Sequence, residues 1–406
     1  MTLSADAMRD LFLVGVQAAD PRGAVRAALL AQPVRPVGRL FMLAVGKAAC
    51  AMAEAALPLL PQPARALVVT NPENAVNVPG ADLWLAAHPV PDDGGLRAGQ
   101  AVLDMLAATR DADEVLVLVS GGGSALLPAP VEGLTLADKA TVNRLLLGAG
   151  LDIVQMNMVR QHLSRLKGGG LLRAAAPASV RALILSDVVG DDLRAIASGP
   201  TVAPIAPRAQ VCAMLRDLGL WEQLPEAARV ALGRPEDPLA LPPARNLLIG
   251  SNALSVAAMA RACPGARVAP APLVGDVAQA ARAIVALVAD GPGTTLLGGE
   301  TTVTLHGTGL GGRNQELALR VAFALDGRSG WRFLSAGTDG RDGPTDAAGA
   351  LVDGGTIARI RAAGGDAEAL LANNDSYAAL RLSGALLITG GTGTNVADLQ
   401  ILCVDA

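Results

Sequence analysis

The sequence predicts an α/β protein of two domains, and three observations carry that reading. Short apolar runs ending in Gly, Ser, Asp or Asn alternate with longer Ala/Leu-rich stretches of helical spacing, the pattern of repeated β-α units. The short runs are apolar at successive positions, so both faces are expected to be covered, as in a mostly parallel sheet. The 406 residues suffice for two or three domains. One stretch, 203–245, is rich in Pro and has no strand-like run, and a boundary is expected there. The domains become 1–240 and 241–406, with about the first 38 residues able to pack on the second.

In chain order, the first strand is LFMLAV (40–45), followed by ALVVT (66–70), EVLVLVS (114–120), VRALILS (180–186) and NLLIGS (246–251). The second half supplies TTLLGG (294–299), TTVTL (301–305), WRFLSAG (331–337), ALLITG (385–390) and LQILCV (399–404). Charge and composition exclude several classes. A net charge of −4 with scattered cations offers no stripe for a phosphodiester backbone, so no nucleic acid is expected. Charged residues interrupt every apolar stretch, no span reaches bilayer length, and the first residues lack the layout of a signal peptide. A cytoplasmic location is expected. Cys50, Cys212, Cys263 and Cys403 have neither metal-ligand nor paired spacing and read as buried thiols.

Thirty of the 33 basic residues are Arg, and the three lysines stand at 47, 139 and 167. Lys47 and Lys167 lie beside glycine, where a compact ammonium meets phosphate easily. The first strong signal is the strand ending in Ser120, Gly121, Gly122, Gly123 and Ser124, because successive glycines expose N–H groups to an anionic oxygen. Next, Asn157, Arg160, Ser164 and Lys167 recur at spacings of three, four and three, one face of a helix, followed by a second triple glycine. Then Asp187 ends a strand, placed as a general base or metal ligand, while Asp191 or Asp192 can cap the next helix.

Gly307, Gly309 and Gly312 keep the G-x-G-x-x-G spacing, followed by Arg313 and Asn314. The acid that would bind a dinucleotide ribose is missing, so this loop suits a phosphate as well as a dinucleotide. Arg313 at its exit can stabilise charge on a transferring group. In SAGTDGRDGPTD, Asp339 and Asp342 stand among Gly337, Gly340 and Gly343, a composition that suits Mg²⁺ held partly by phosphates. Gly46-Lys47 is no Walker loop, since Ala48 replaces the metal-binding hydroxyl. His88, His162 and His306 are dispersed, and no base can be assigned to Ser124 as a nucleophile.

Taken together, AVGKAA, TNPENA, AAHPVPDDGG, VLVSGGGSALL, NMVRQHLSRLKGGGL, ILSDVVGDDLRAIASGPT, GGETTVTLHGTGLGGRNQE and SAGTDGRDGPTDAAGA closely resemble the class II glycerate kinase family over nearly the whole chain. Some members of that family carry the name hydroxypyruvate reductase. The resemblance implies a Rossmann-like domain plus a smaller α/β, MOFRL-like domain, with the active site in the cleft between them. It further implies ATP- and Mg²⁺-dependent transfer of a phosphoryl group to the 2-hydroxyl of D-glycerate, giving 2-phospho-D-glycerate, with Lys47, Asp187 and Arg313 at the catalytic positions. On this reading Ser120 to Ser124, with Asn157, Arg160 and Lys167, hold the glycerate carboxylate or a phosphate. Gly307, Gly309, Gly312, Asn314, Gly337 and Asp339 are assigned to the nucleotide, and Asp339 and Asp342 to the metal. The alternatives are an NAD(P)H-dependent hydroxypyruvate reductase using the 307–312 loop, and a small-anion binding protein without catalysis. A monomer or homodimer is expected.

Overall fold

The computed structural model describes residues 3–236 and 240–405. The chain divides into two compact units. An amino-terminal unit comprises Pro21–Ser186 and Asp191–Ile249, and a carboxyl-terminal unit comprises Met1–Asp20, Asp187–Gly190 and Gly250–Ala406. The division thus falls after residue 249, where the sequence placed it after 240, and 20 leading residues join the carboxyl-terminal unit instead of 38. The physical reason is the strand at 244–250, which belongs to the amino-terminal sheet.

That sheet holds β1 (Leu40–Val45), β2 (Arg65–Thr70), β3 (Asp82–Leu85), β4 (Glu114–Val119), β5 (Ser179–Leu185) and β6 (Ala244–Gly250), in the order β3-β2-β1-β4-β5-β6. The ladders running from β3 to β5 are parallel. Every residue of β1 and β4 is buried, which is why both read as unbroken apolar runs. Helices Pro21–Ala31 and Ala49–Ala56 pack together against the strands, as do Asp93–Ala107 and Gly170–Ala175. From β1 the chain builds outward to β2 and β3, then returns to lay β4 beside β1. In a doubly wound sheet this reversal opens a crevice at the carboxyl ends of the two strands.

The strandless stretch read as a boundary is instead part of a helical layer of the same unit. Helices Arg208–Asp217 and Glu226–Leu232 share a core with Leu136–Gly148 and Ile153–His162, through Val142, Leu146, Val159, Val211, Leu215 and Leu232. Capping boxes start two of these helices, Thr135 with Asp138 and Asp152 with Gln155. Each cap contributes about 1 kcal/mol. Pro207 and Pro225 stand at helix starts, so the prolines that suggested a linker are helix punctuation.

The carboxyl-terminal sheet holds β7 (Arg267–Val268), β8 (Leu273–Asp276), β9 (Gly293–Thr302), β10 (Trp331–Gly337), β11 (Gly349–Asp353), β12 (Leu386–Leu387) and β13 (Asp398–Val404). Its order is β12-β11-β10-β13-β9-β7, with β8 also on β9. The expectation of mostly parallel strands fails here: β10 runs antiparallel to β11 and β13, β12 to β11, and β13 to β9, while β7 and β8 are parallel to β9. Both faces are nonetheless covered, so the strands look like parallel ones in sequence. Leu399, Ile401, Leu334 and Ala336 face a core with Met8, Phe12 and Met259, and Leu402, Val404, Trp331 and Phe333 face another with Ile284, Leu317 and Ile360. Met8 and Phe12 are fully buried, and each contributes about 1.5–3 kcal/mol through the area removed from water. Among the described residues, no helix is long and apolar enough to cross a membrane.

Candidate functional site

The carboxyl ends of β1 and β4 are laced together by the loops that follow them. Gly46 has φ +124°, and a Cβ there would lie 2.2 Å from Ser120 Oγ and 2.5 Å from the Ser120 carbonyl oxygen, so only glycine fits. The Lys47 amide donates to the Gly121 carbonyl at 2.8 Å, and the Ala48 amide donates to Ser120 Oγ at 3.1 Å. Ser120 is therefore a buried staple between the loops. Gly122 turns left-handed, and a Cβ on it would meet both the His88 ring and the Lys47 stem, which flank it. Lys47 itself is exposed. Burial first, and then the charge of Lys47, hold the His88 imidazole below its usual pKa.

One turn further on, a buried polar network begins. Lys167 Nζ donates to the Ser124 carbonyl at 2.7 Å and to Ser124 Oγ at 2.9 Å. Ser124 Oγ lies 2.8 Å from Ser198 Oγ, which donates to Asn157 Oδ1 at 3.2 Å. Ala197 and Ser198 both have positive φ, a backbone state costing about 1–3 kcal/mol per residue. Gln161 Nε2, bonded to the Ser198 and Arg194 carbonyls, holds that turn in place. The structure brings Ser124, Asn157 and Lys167 together, as expected, but not along one helix. The helix ends at His162, because the chain turns there to pair Ser164 with Pro130. The second triple glycine is structural: Gly168 and Gly169 donate their amides to the Ser198 and Gly199 carbonyls.

Beside this network lies a cavity of about 560 Å³ whose lining includes His88, Gly122, Ser124, Lys139, Arg160 and Lys167. Among the described residues, no carboxylate lines it. Lys139 and Lys167 are buried, and Lys139 Nζ has no hydrogen-bond partner among the described residues. Arg160 Nε donates to Asn143 Oδ1 at 2.8 Å. Burial, aided by the charge of Arg160, pushes the Lys139 ammonium down to about 8. Burial, then Lys139 and Arg160, push Lys167 well below its ordinary value. An anion is the partner that such a site demands.

Lys139 is the residue that the sequence reading passed over. Its signal was present: with Val142 and Leu146 it forms the buried stripe of Leu136–Gly148, where a lysine is out of place unless something pairs with it.

Asp187 follows β5 by two residues, is half-buried, and groups with the carboxyl-terminal unit. Asp192 accepts the Arg194 amide and pairs with its guanidinium at 2.8 Å, a local structural role.

The carboxyl-terminal loops behave differently from their expected role. The amides of His306 and Gly307 donate to Asn374 Oδ1, that of Thr308 to Asn373 Oδ1, that of Gly309 to the Asn373 carbonyl, and that of Leu310 to Asp375 Oδ1. A Cβ on Gly307 or Gly309 would lie 2.4 Å from residues 373 and 375, and one on Gly312 2.3 Å from Asp342. These glycines permit close packing within the protein, and the amides of residues 306–310 are already engaged.

Asp342 is engaged within the protein itself. Its carboxylate accepts the amides of Asn314 and Gln315 at the start of helix Arg313–Ala324, together with both side-chain amides. Burial raises it to about 6 against the pull of those amides. Asn314 is equally committed, between Asp342 and Ser335 Oγ. Gly337 ends β10, with Asp339 just after it. Asp339 is half-buried and accepts the Arg341 amide through Oδ1. Among the described residues, no group of three or more His, Cys, Asp or Glu could hold a metal ion.

Arg313 forks onto the buried Asp398 at 2.7 and 3.0 Å and reaches Glu300 at 2.8 Å. Burial opposes its charge, but Asp398 and Glu300 outweigh that and hold the guanidinium above its ordinary pKa.

Comparison with known proteins gives consistent matches. Residues 7–233 match the family described as Domain of unknown function (DUF4147), and residues 293–398 match the MOFRL family. The chain is 40% identical over 402 residues to D-glycerate 2-kinase of Thermotoga maritima, covering 95% of each chain. It is 37% identical to glycerate 2-kinase of Pyrococcus horikoshii, covering 97% of this chain and 96% of that one. The crystal structure of glycerate kinase from Thermotoga maritima superposes with a TM-score of 0.91 at 38% identity, covering 97% of this chain and 98% of that one.

Proposed function

The chain belongs to the glycerate kinase family that joins a DUF4147 region to a MOFRL region, and from that premise we propose that it transfers the γ-phosphoryl group of ATP to the 2-hydroxyl of D-glycerate, giving 2-phospho-D-glycerate and ADP. The observation that carries the chemistry is the carboxylate-free cavity with Lys139, Arg160 and Lys167, beside the crevice where β1 and β4 diverge. Phosphoryl transfer asks little covalent work of a protein and much charge neutralisation and positioning, which buried cations supply. Lys47 neutralises phosphate charge as the bridging bond to the γ-phosphorus breaks. Asp187 accepts the 2-hydroxyl proton as the new oxygen–phosphorus bond forms. Arg313 acts as a fork already oriented by Asp398 and Glu300.

Mg²⁺ supplies charge neutralisation on the nucleotide's phosphates when bound. Of the two carboxylates expected to meet it, Asp339 fits and Asp342 does not, because helix amides occupy both of its oxygens. The reductase reading loses its support for the same kind of reason. The 306–310 amides are engaged, so that stretch of the loop offers a dinucleotide no free donors.

The test is an assay with D-glycerate, ATP and Mg²⁺ that reads ADP and resolves the product by ³¹P NMR, run beside NADPH plus hydroxypyruvate. A 2-phosphoglycerate signal, reduced about 10²–10³-fold or more in Lys47→Ala and Asp187→Asn, is expected. NADPH oxidation without ADP would refute the proposal.

A further inference from the structure

The cavity beside Gly122 is large for a three-carbon acid, and its lining divides into two chemistries. Lys139, Arg144, Arg160 and Lys167 are cationic, whereas Val90, Leu136 and Leu147 are apolar. We propose that this cavity holds the nucleoside triphosphate, with its polyphosphate on Lys139, Arg160 and Lys167 and its base against Val90 and Leu147. This rests on the phosphotransfer reading and adds which of the two ligands takes the cavity.

Charge is the first argument. Glycerate brings one negative charge and a nucleoside triphosphate brings about four, against four cations, Lys139, Arg144, Arg160 and Lys167, and no acid among the described lining residues. The second is the state of each cation. Lys139 is 8% exposed and its Nζ has no partner among the described residues, an arrangement that an arriving acceptor relieves. Lys167 spends two of its three protons on Ser124, and Arg160 spends its Nε on Asn143. What remains on each is donor capacity for phosphate oxygens.

The third argument is the apolar surface. Val90 and Leu147 are 68% and 61% exposed at the cavity, surface that a flat heterocycle would cover. A volume of about 560 Å³ lies within the range of pockets that take ligands of nucleotide size. The lowered lysine pKa values are the electrostatic counterpart of the same arrangement, since a bound anion stabilises the charge that burial disfavours.

The experiment is isothermal titration of ADP, tripolyphosphate and D-glycerate into the full chain, into Lys139→Met, and into the double variant Val90→Ser, Leu147→Ser. Lys139→Met should weaken ADP and tripolyphosphate about 10- to 100-fold. The double variant should weaken ADP about tenfold and leave tripolyphosphate unchanged, because only ADP carries a base. Glycerate binding should not move in either. Both variants replace side chains without filling or emptying a core, and circular dichroism verifies their fold. Unchanged ADP affinity in both, or a loss of glycerate affinity instead, overturns the proposal while leaving the kinase reading intact. Intact nucleotide binding with no 2-phosphoglycerate formed would refute the kinase reading alone.

Discussion

Replacing Lys139 by Met should make the ligand-free protein more stable, because the lysine is held where its charge is unwelcome. Burial and Arg160 lower its pKa from 10.5 to about 8, and at about 1.4 kcal/mol per pH unit this corresponds to a penalty of about 3 kcal/mol. The direction with pH is set by proton counts. Between pH 8 and 10.5 the unfolded chain holds the Lys139 proton and the folded chain has released it, so stability rises with pH across that window. Below about pH 8 the full penalty applies, and above 10.5 it has vanished. Methionine has a similar length and no charge, so it removes the penalty at all pH values.

Urea unfolding of the wild type and Lys139→Met at pH 7 and pH 9.5 separates the effect from other titrations. The variant should be more stable by up to about 3 kcal/mol at pH 7 and by much less at pH 9.5. A variant less stable than the wild type at pH 7, or a difference that does not shrink with pH, would refute the reasoning. Tripolyphosphate should narrow the gap at pH 7 by stabilising the wild type more than the variant.

In the carboxyl-terminal unit, Arg313→Ala leaves the fully buried Asp398 without its fork and should destabilise by about 3–5 kcal/mol, read by thermal or urea unfolding. Arg313→Lys should recover part of that stability but not the two-toothed geometry, so its kcat stays low while the fold returns. Asp342→Asn turns an amino group towards the Gln315 amide that one carboxylate oxygen accepts. It should cost about 1–3 kcal/mol and leave the Mg²⁺ concentration dependence of the rate unchanged. A shifted Mg²⁺ dependence would return Asp342 to the metal.

The parts of the fold that were legible in sequence are those where burial alone dictates residue type. The fully buried β1 appears within its observed bounds, and so does the buried core strand β10. β3, with DLWL only partly buried, and the short, exposed β7 gave no apolar run to see. The direction of the carboxyl-terminal strands was hidden because helices cover both sheet faces, which removes the alternation that marks antiparallel pairing. At the site, glycine runs pointed to Gly122 and Ser124, which line the cavity, and equally to 307–312, where the glycines pack closely on the protein itself. Glycine records close approach, and sequence alone does not say whether a phosphate or Asn373 is the group that approaches. Lys139 escaped because its meaning lies in the partner missing around it, which shows only in three dimensions.

The helix Ala5–Ala18 packs on Asn252–Ala262 and on β13, and β13 lies between β9 and β10. Its apolar face, with Met8 and Phe12, is therefore made long before the surfaces that cover it. At about 5–20 residues per second, the ribosome takes roughly 20 seconds to more than a minute to deliver segment 398–404 after that helix. Meanwhile the sheet of the amino-terminal unit is synthesised in full. The nascent chain thus carries a sticky amphipathic segment ahead of an already foldable body.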